Sequence, residues 1–217
     1  MNTNSRILVP LDGSVLSESA IPLALSLGAP QSSDYVFVSI ARPVTSSIGL
    51  REGQSHQWQP PADIASEKLS EAQASSARYL EEIAARYPGI SPLLVVGAGD
   101  PATVIERIAD GHDADLVVIA SRGRSGMVRG LLGSVTDRLL QISECPVLVT
   151  RPGVEQLRST HSGQLKSLII PLDGSDLSER AIEYGGWLAS SLGIPVHLIR
   201  CVRYPTLSAN SNEMGFE

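Results

Sequence analysis

The chain has 217 residues, 42% hydrophobic and 18% charged, which is enough apolar material for a packed core and speaks against wholesale disorder. Aromatic residues make up only 4%, so the core is built from Val, Ile, Leu and Ala, the usual filling of a buried parallel sheet. A formal net charge of −6 leaves no basic excess for displacing counterions from nucleic acid, and no segment reads as a signal peptide or a bilayer span. A soluble cytoplasmic protein with no nucleic-acid or membrane partner is expected.

In chain order, Arg6–Leu11 is a short apolar run ended by Asp12-Gly13-Ser14, hence a strand and a turn. A helix should follow to about Leu27 and stop at Gly28 and Pro30. Pro22 inside it removes a backbone donor, which predicts a start near Ser17 or a mild kink. Tyr35–Ala41 reads as the second strand, and residues 42–63, rich in Pro, Ser, Gly and Gln, as a long loop. Apolar positions from Ile64 to Tyr87 recur at helical spacing, and Pro88-Gly89 ends that helix. Leu93–Val96 is a third strand, Pro101–Ala109 a short helix and Leu116–Ala120 a fourth strand. A Gly-rich loop leads into a helix from Ser134 to about Ile142, and Val147–Thr150 is the fifth strand. Alternation of this kind gives right-handed crossovers and a parallel sheet covered on both faces, an α/β fold.

The chain then begins again. Residues 6–28 align without gaps to 167–189 at an offset of 161, and eleven of the twenty-three positions are identical, including all of PLDGS. This divides the chain into a first domain at 1–152, a polar linker at 153–165 and an incomplete second copy at 166–217. The second copy keeps Pro171 and Asp173 but has no counterpart of the loop after strand four, so it should not build a second site alone.

Ligands of open parallel sheets bind beyond the carboxyl ends of the strands, where the strand order reverses. Two loops are chemically marked there. One is Pro10 to Ser14. The other, Ala120 to Ser134, carries Gly123, Gly126, Gly130 and Gly133 with Arg122, Arg124 and Arg129, and ends where Ser134 opens a helix. Exposed amides, a hydroxyl, arginines and a helix N-terminus converging on one spot suit phosphate. The plainer reading is a turn at Asp12-Gly13 and an N-cap at Ser134. The loop is not a Walker loop, because no Lys precedes Ser134. His56, His112, His161 and His197 lack ligand spacing, so no metal site is expected, and no catalytic residue stands out. Cys145 and Cys201 read as small buried thiols.

VPLDGS at 9–14, GAGDPA at 97–102, ADLVVIASRGRSG at 114–126, LLGSVTDRLL at 131–140 and CPVLVTRP at 145–152 together resemble the universal stress proteins. That resemblance implies a five-stranded parallel sheet in the order 3-2-1-4-5. It also implies a motif of Gly, two residues, Gly, nine residues, Gly and Ser or Thr, which falls on Ala120, Gly123, Gly133 and Ser134. Ala120 departs from the pattern by one methyl group. The resemblance further implies ATP, with accompanying Mg²⁺, held as follows. Pro10 and Asp12 would line the adenosine pocket and Ile40 would pack on the adenine. Arg122, Gly123, Arg124, Ser125 and Gly126 would wrap the phosphates, with Ser134 and Val135 at the helix start.

A regulatory, stress-response module with little turnover is the expected function. The alternatives are a nucleotide-free dimerisation module, against which Gly123, Gly133 and Ser134 argue, and an ATP pyrophosphatase. The latter would carry Ser-Gly-Gly after strand one, where this chain has Asp-Gly-Ser. The family commonly dimerises through the fifth strand. An open apolar edge at Val147–Thr150 predicts the same homodimer here, with a proline at Leu148 as the change that would remove a donor from that edge.

Overall fold

The computed structural model describes residues 5–28, 33–41, 62–121, 132–151 and 165–200. They fall into two compact units, Met1–Gln164 and Leu165–Glu217.

The first unit is a five-stranded parallel sheet in the order β3-β2-β1-β4-β5. Its strands are β1 (Ser5–Pro10), β2 (Ser33–Ala41), β3 (Leu93–Ala98), β4 (Leu116–Ala120) and β5 (Val147–Thr150). The helices are α1 (Val15–Glu18), α2 (Ala20–Leu27), α3 (Ala62–Ala85), α4 (Pro101–Gly111) and α5 (Ser134–Ile142). β4, α5 and β5 have the bounds expected from the sequence, while β2 starts two residues earlier and β3 ends two residues later.

Side chains alternate across the strands. Leu8, Val36, Val38, Val117 and Ile119 join Ala102, Val104, Ile105, Ile108 and Ala109 of α4 and Leu139 of α5 in one buried cluster. The intervening Ile7, Val9, Tyr35, Phe37 and Val118 are also buried. α2 packs on β1 and β4 on that side, and α3 on β2 and β3.

The second unit contains β6 (Leu168–Leu172), α6 (Asp176–Leu192) and β7 (Val196–Arg200), with β6 and β7 parallel. Ile7 pairs with Tyr35 and Leu168 with Val196, so the offset of 161 persists through the second strand of each unit. This gives an internal control on Pro22. Its counterpart in the second unit is Glu183, and α6 runs unbroken, whereas the first unit's helix is interrupted at Ser19. Proline at position 22 cannot bond the carbonyl of Glu18 and crowds it, so the chain divides into α1 and α2 one turn earlier.

The ladder corrects one expectation about the outer strand. Val117 N donates to Pro146 O and Ser121 N to Thr150 O, so residues 146, 148 and 150 turn their backbone groups toward β4. A proline at Leu148 would break the sheet from within. Val147 and Val149 are the residues whose amides face the open edge.

Candidate functional site

A cleft of about 550 Å³ opens at the carboxyl ends of β1, β2 and β4. β1 and β4 are the adjacent strands whose crossovers leave in opposite directions, the position where open α/β sheets bind ligands. Pro10, Asp12, Ile40, Ala120, Gly133, Ser134 and Val135, all singled out from the sequence, line it together. Arg122, Gly123, Arg124, Ser125 and Gly126 lie outside the described residues.

The loop after β1 is a tight turn held by its own side chains. Asp12 Oδ1 accepts from Ser14 N at 3.0 Å and from Ser14 Oγ at 2.6 Å. Between them Gly13 has φ of 81°, in the left-handed region where a side chain is strained. Ser14 in turn caps α1, accepting from Ser17 N at 3.1 Å. The buried Ser17 hydroxyl closes the turn from below, accepting from Asp12 N at 3.2 Å and donating to Ser14 O at 2.9 Å. Tyr79 of α3 donates to Glu18 Oε1 at 3.3 Å, and Arg86, just past α3, pairs with Glu18 Oε2 at 2.9 Å, so the C-terminal part of α3 is fastened to the end of α1. Burial, and then the Glu18 charge, push the Tyr79 phenol up to about 12.

The opposite wall is the start of α5. α1, α4 and α6 are each capped by a side chain, from Ser14, Asp100 and Ser175. α5 begins at Gly133, which offers no side-chain cap. Its first internal bond runs from Asp137 N to Gly133 O at 2.8 Å. The amides of Ser134, Val135 and Thr136 precede that bond, and all three residues line the cleft. A helix N-terminus of this kind carries partial positive charge and suits an anion. Among the described lining residues the one ionisable side chain is Asp12, and the polar remainder are hydroxyls of Ser14, Ser17, Ser39, Ser76, Ser121, Ser134 and Thr136.

The apolar end is set by Ile40, which packs against the buried cluster beside Ile105 and Ile119. Gly97 of β3, in register with Ile40, explains why the GAGDPA segment begins with glycine. A Cβ there would stand 3.1 Å from Ile40 Cδ1 and would overlap Val104 Cγ1 more severely. The absence of a side chain at 97 lets α4 settle onto the sheet beneath the cleft.

Sequence reasoning missed Ser17, Ser39, Ser76, Ser121 and Thr136 as lining residues. Ser39 sits within an apolar strand and Ser76 on a long helix whose polar positions read as solvated, so neither carried a signal. Cys145 is a free thiol donating to Ala114 O at 3.1 Å, pushed up to about 12 by burial and then by Glu106 and Asp115. It is protonated and unreactive near neutrality. Cys201 lies outside the described residues. Among the described residues no group of three His, Cys, Asp or Glu side chains could hold a metal, and no helix is long and apolar enough to cross a membrane.

Comparison with known proteins agrees with this architecture. A family model described as the universal stress protein family matches residues 3–151. Universal stress protein MJ0531 of Methanocaldococcus jannaschii is 30% identical over 150 residues, covering 69% of this chain and 84% of that protein. Universal stress protein Rv2623 of Mycobacterium tuberculosis is 30% identical over 145 residues, 67% of this chain and 44% of that relative's length. Among solved structures, a universal stress protein from Archaeoglobus fulgidus superposes with a TM-score of 0.60 at 20% identity, covering 90% of this chain and 66% of the other.

Proposed function

The chain belongs to the universal stress protein family, and on that premise we propose that its first unit binds ATP in the cleft between β1 and β4 and acts as a regulatory, stress-response module with little or no turnover. The uncapped first turn of α5 carries this reading: three amides and the Ser134 hydroxyl open onto a cleft whose other end is the apolar Ile40. In this arrangement the phosphates lie at α5 and the adenine lies on Ile40, with Asp12 near the ribose. In the sequence Arg122 and Arg124 fall between β4 and α5, the elements that flank this end of the cleft. Mg²⁺ arrives with the nucleotide, because the described lining supplies a single carboxylate.

The same wall supports the reading of low turnover. Amides and hydroxyls stabilise a bound phosphate in its ground state, and a hydrolase needs in addition a group that takes a proton from water. Asp12 Oδ1, already accepting two hydrogen bonds from Ser14, is a weak base for that purpose. The module works in the cytoplasm as a homodimer, in which the open edge of β5 is closed by its copy.

A melting curve tests the reading. A ligand at a hundred times its dissociation constant adds about 2.7 kcal/mol, which in a domain of this size raises the midpoint by roughly 5–11 °C. Mg-ATP should produce that rise. An unchanged melt of folded, nucleotide-free protein in millimolar Mg-ATP would refute the proposal.

A further inference from the structure

The cleft contains one buried hydroxyl that touches the phosphate wall without forming part of it. Ser121 follows the last residue of β4 and is only 2% exposed. Its amide donates to Thr150 O at 2.9 Å, which fixes its backbone to the end of β5. Its Oγ accepts a hydrogen bond from Gly133 N at 3.1 Å, across twelve residues of sequence. Gly133 is the residue from which α5 starts, in an extended conformation with φ of −64° and ψ of 149°.

The two polar groups of Gly133 are therefore both engaged. Its carbonyl takes the first helical bond from Asp137, and its amide is taken by Ser121. An N-cap residue ordinarily brings its own side-chain acceptor to the helix start. Glycine has none, and Ser121 supplies an acceptor from the neighbouring strand instead. It takes the amide of Gly133 itself, so those of Ser134, Val135 and Thr136 are left for a ligand. The direction in which these three point is thus tied to the rigid end of the sheet.

We infer that Ser121 is a positioning residue for the phosphate end of the cleft, and that the Gly133 amide is a structural donor and not a phosphate ligand. The inference rests on the nucleotide reading above and adds to it a division of labour among the amides. The Ser121 hydroxyl bonds to the α5 start, across β1 from Ile40 at the end of β2. Its removal should therefore be felt by ligands bearing phosphate and not by the nucleoside.

The test combines titration calorimetry with amide exchange followed by NMR. Ser121→Ala should weaken ATP by about tenfold, the loss expected for a single misplaced charge-assisted contact, and leave adenosine at its wild-type affinity. Equal losses for ATP and adenosine would reduce Ser121 to general structural support, and no loss for either would remove its role; both results overturn the inference. In the free wild-type protein the Gly133 amide should exchange slowly and those of Ser134, Val135 and Thr136 quickly. Mg-ATP should then protect the latter three and leave Gly133 unchanged. A Gly133 amide that exchanges as fast as its neighbours overturns the clamp, even if Ser121→Ala proves too unstable to titrate. A wild-type protein that binds neither ATP nor adenosine refutes the nucleotide reading and the positioning role with it, while the exchange rates still report whether the clamp exists.

Discussion

Replacing Gly97 by alanine adds one methyl group, and its consequences can be worked from the packing beneath the cleft. The new Cβ would stand 3.1 Å from Ile40 Cδ1 and would overlap Val104 Cγ1 more severely. The Ile40 contact needs that side chain to yield by a few tenths of an ångström. The Val104 contact is worse, because Val104 is 4% exposed in a close-packed helix–sheet interface and has little room to move. Overpacking of this kind costs about 1–3 kcal/mol, a fall of roughly 2–12 °C in melting temperature for a domain of this size. Since Ile40 lines the cleft, nucleotide affinity should fall with stability. A double-mutant cycle isolates the cause. Val104→Ala alone removes two buried methyl groups and costs about 1.5–3 kcal/mol. In the Gly97→Ala, Val104→Ala protein the added methyl occupies part of the vacated space, so the double variant should be more stable than the sum of the singles by about 1–2 kcal/mol. Urea unfolding of the four proteins measures this. Strict additivity, or a Gly97→Ala protein as stable as wild type, would show that glycine at 97 is not required by α4.

Two further outcomes are expected. Val149→Pro removes an amide that faces the open edge of β5 and should convert the proposed dimer to a monomer by light scattering with a modest loss of stability, whereas Leu148→Pro should unfold the β4–β5 ladder; a dimer indifferent to Val149→Pro, or a wild-type monomer, excludes strand pairing at β5. Burial raises the Cys145 thiol from 9.0 to about 12, so above its ordinary value the unfolded chain loses this proton before the folded one does, and stability is lost as pH rises through the interval from 9.0 to about 12. Urea midpoints measured from about pH 8 to about pH 10.5 should fall more steeply in wild type than in Cys145→Ala; parallel slopes would mean that the thiol is not held neutral.

The sheet was legible in the sequence because each strand is an apolar run bounded by a turn signal, and local cues of that kind survive folding unchanged. The helix after β1 was legible only in part, since Pro22 announces a disturbance but leaves its location to the packing around Ser19. The part of the site that was legible is the part that departs from ordinary composition: Asp12-Gly13-Ser14, and a helix opened by Gly133-Ser134. What was hidden depends on juxtaposition. Ser121 and Gly133 are twelve residues apart, and nothing in either residue type announces a hydrogen bond between them. The same holds for Gly97, which looks like a loop glycine until α4 is laid over it. The outward amides of Val147 and Val149 follow from ladder phase, which a run of apolar residues does not encode.

The repeat separates what the PLDGS segment does from what the site does. In the second unit Asp173 Oδ1 accepts from Ser175 N at 2.9 Å and from Ser175 Oγ at 2.7 Å, Gly174 has φ of 89°, and Ser175 caps α6 by accepting from Ser178 N at 3.1 Å. Each contact matches its counterpart around Asp12. The Ser175 hydroxyl, followed by its amide, holds the Asp173 carboxyl at about 2, below the usual carboxylate range, although the group is fully exposed. The segment is therefore a device that ends a strand and starts a helix, and it takes the same form in both units. The surroundings differ. The position that corresponds to Ser39 in the first unit is Arg200, and its Nη2 lies 2.5 Å from where a Cβ on Gly174 would stand. A guanidinium thus covers the turn on the side where the first unit has a small hydroxyl facing its cleft. The proposed nucleotide site accordingly rests on what the first unit adds to the turn: the small Ser39, the apolar Ile40 in register with Gly97, and the α5 start, where Ser121 takes the amide of Gly133.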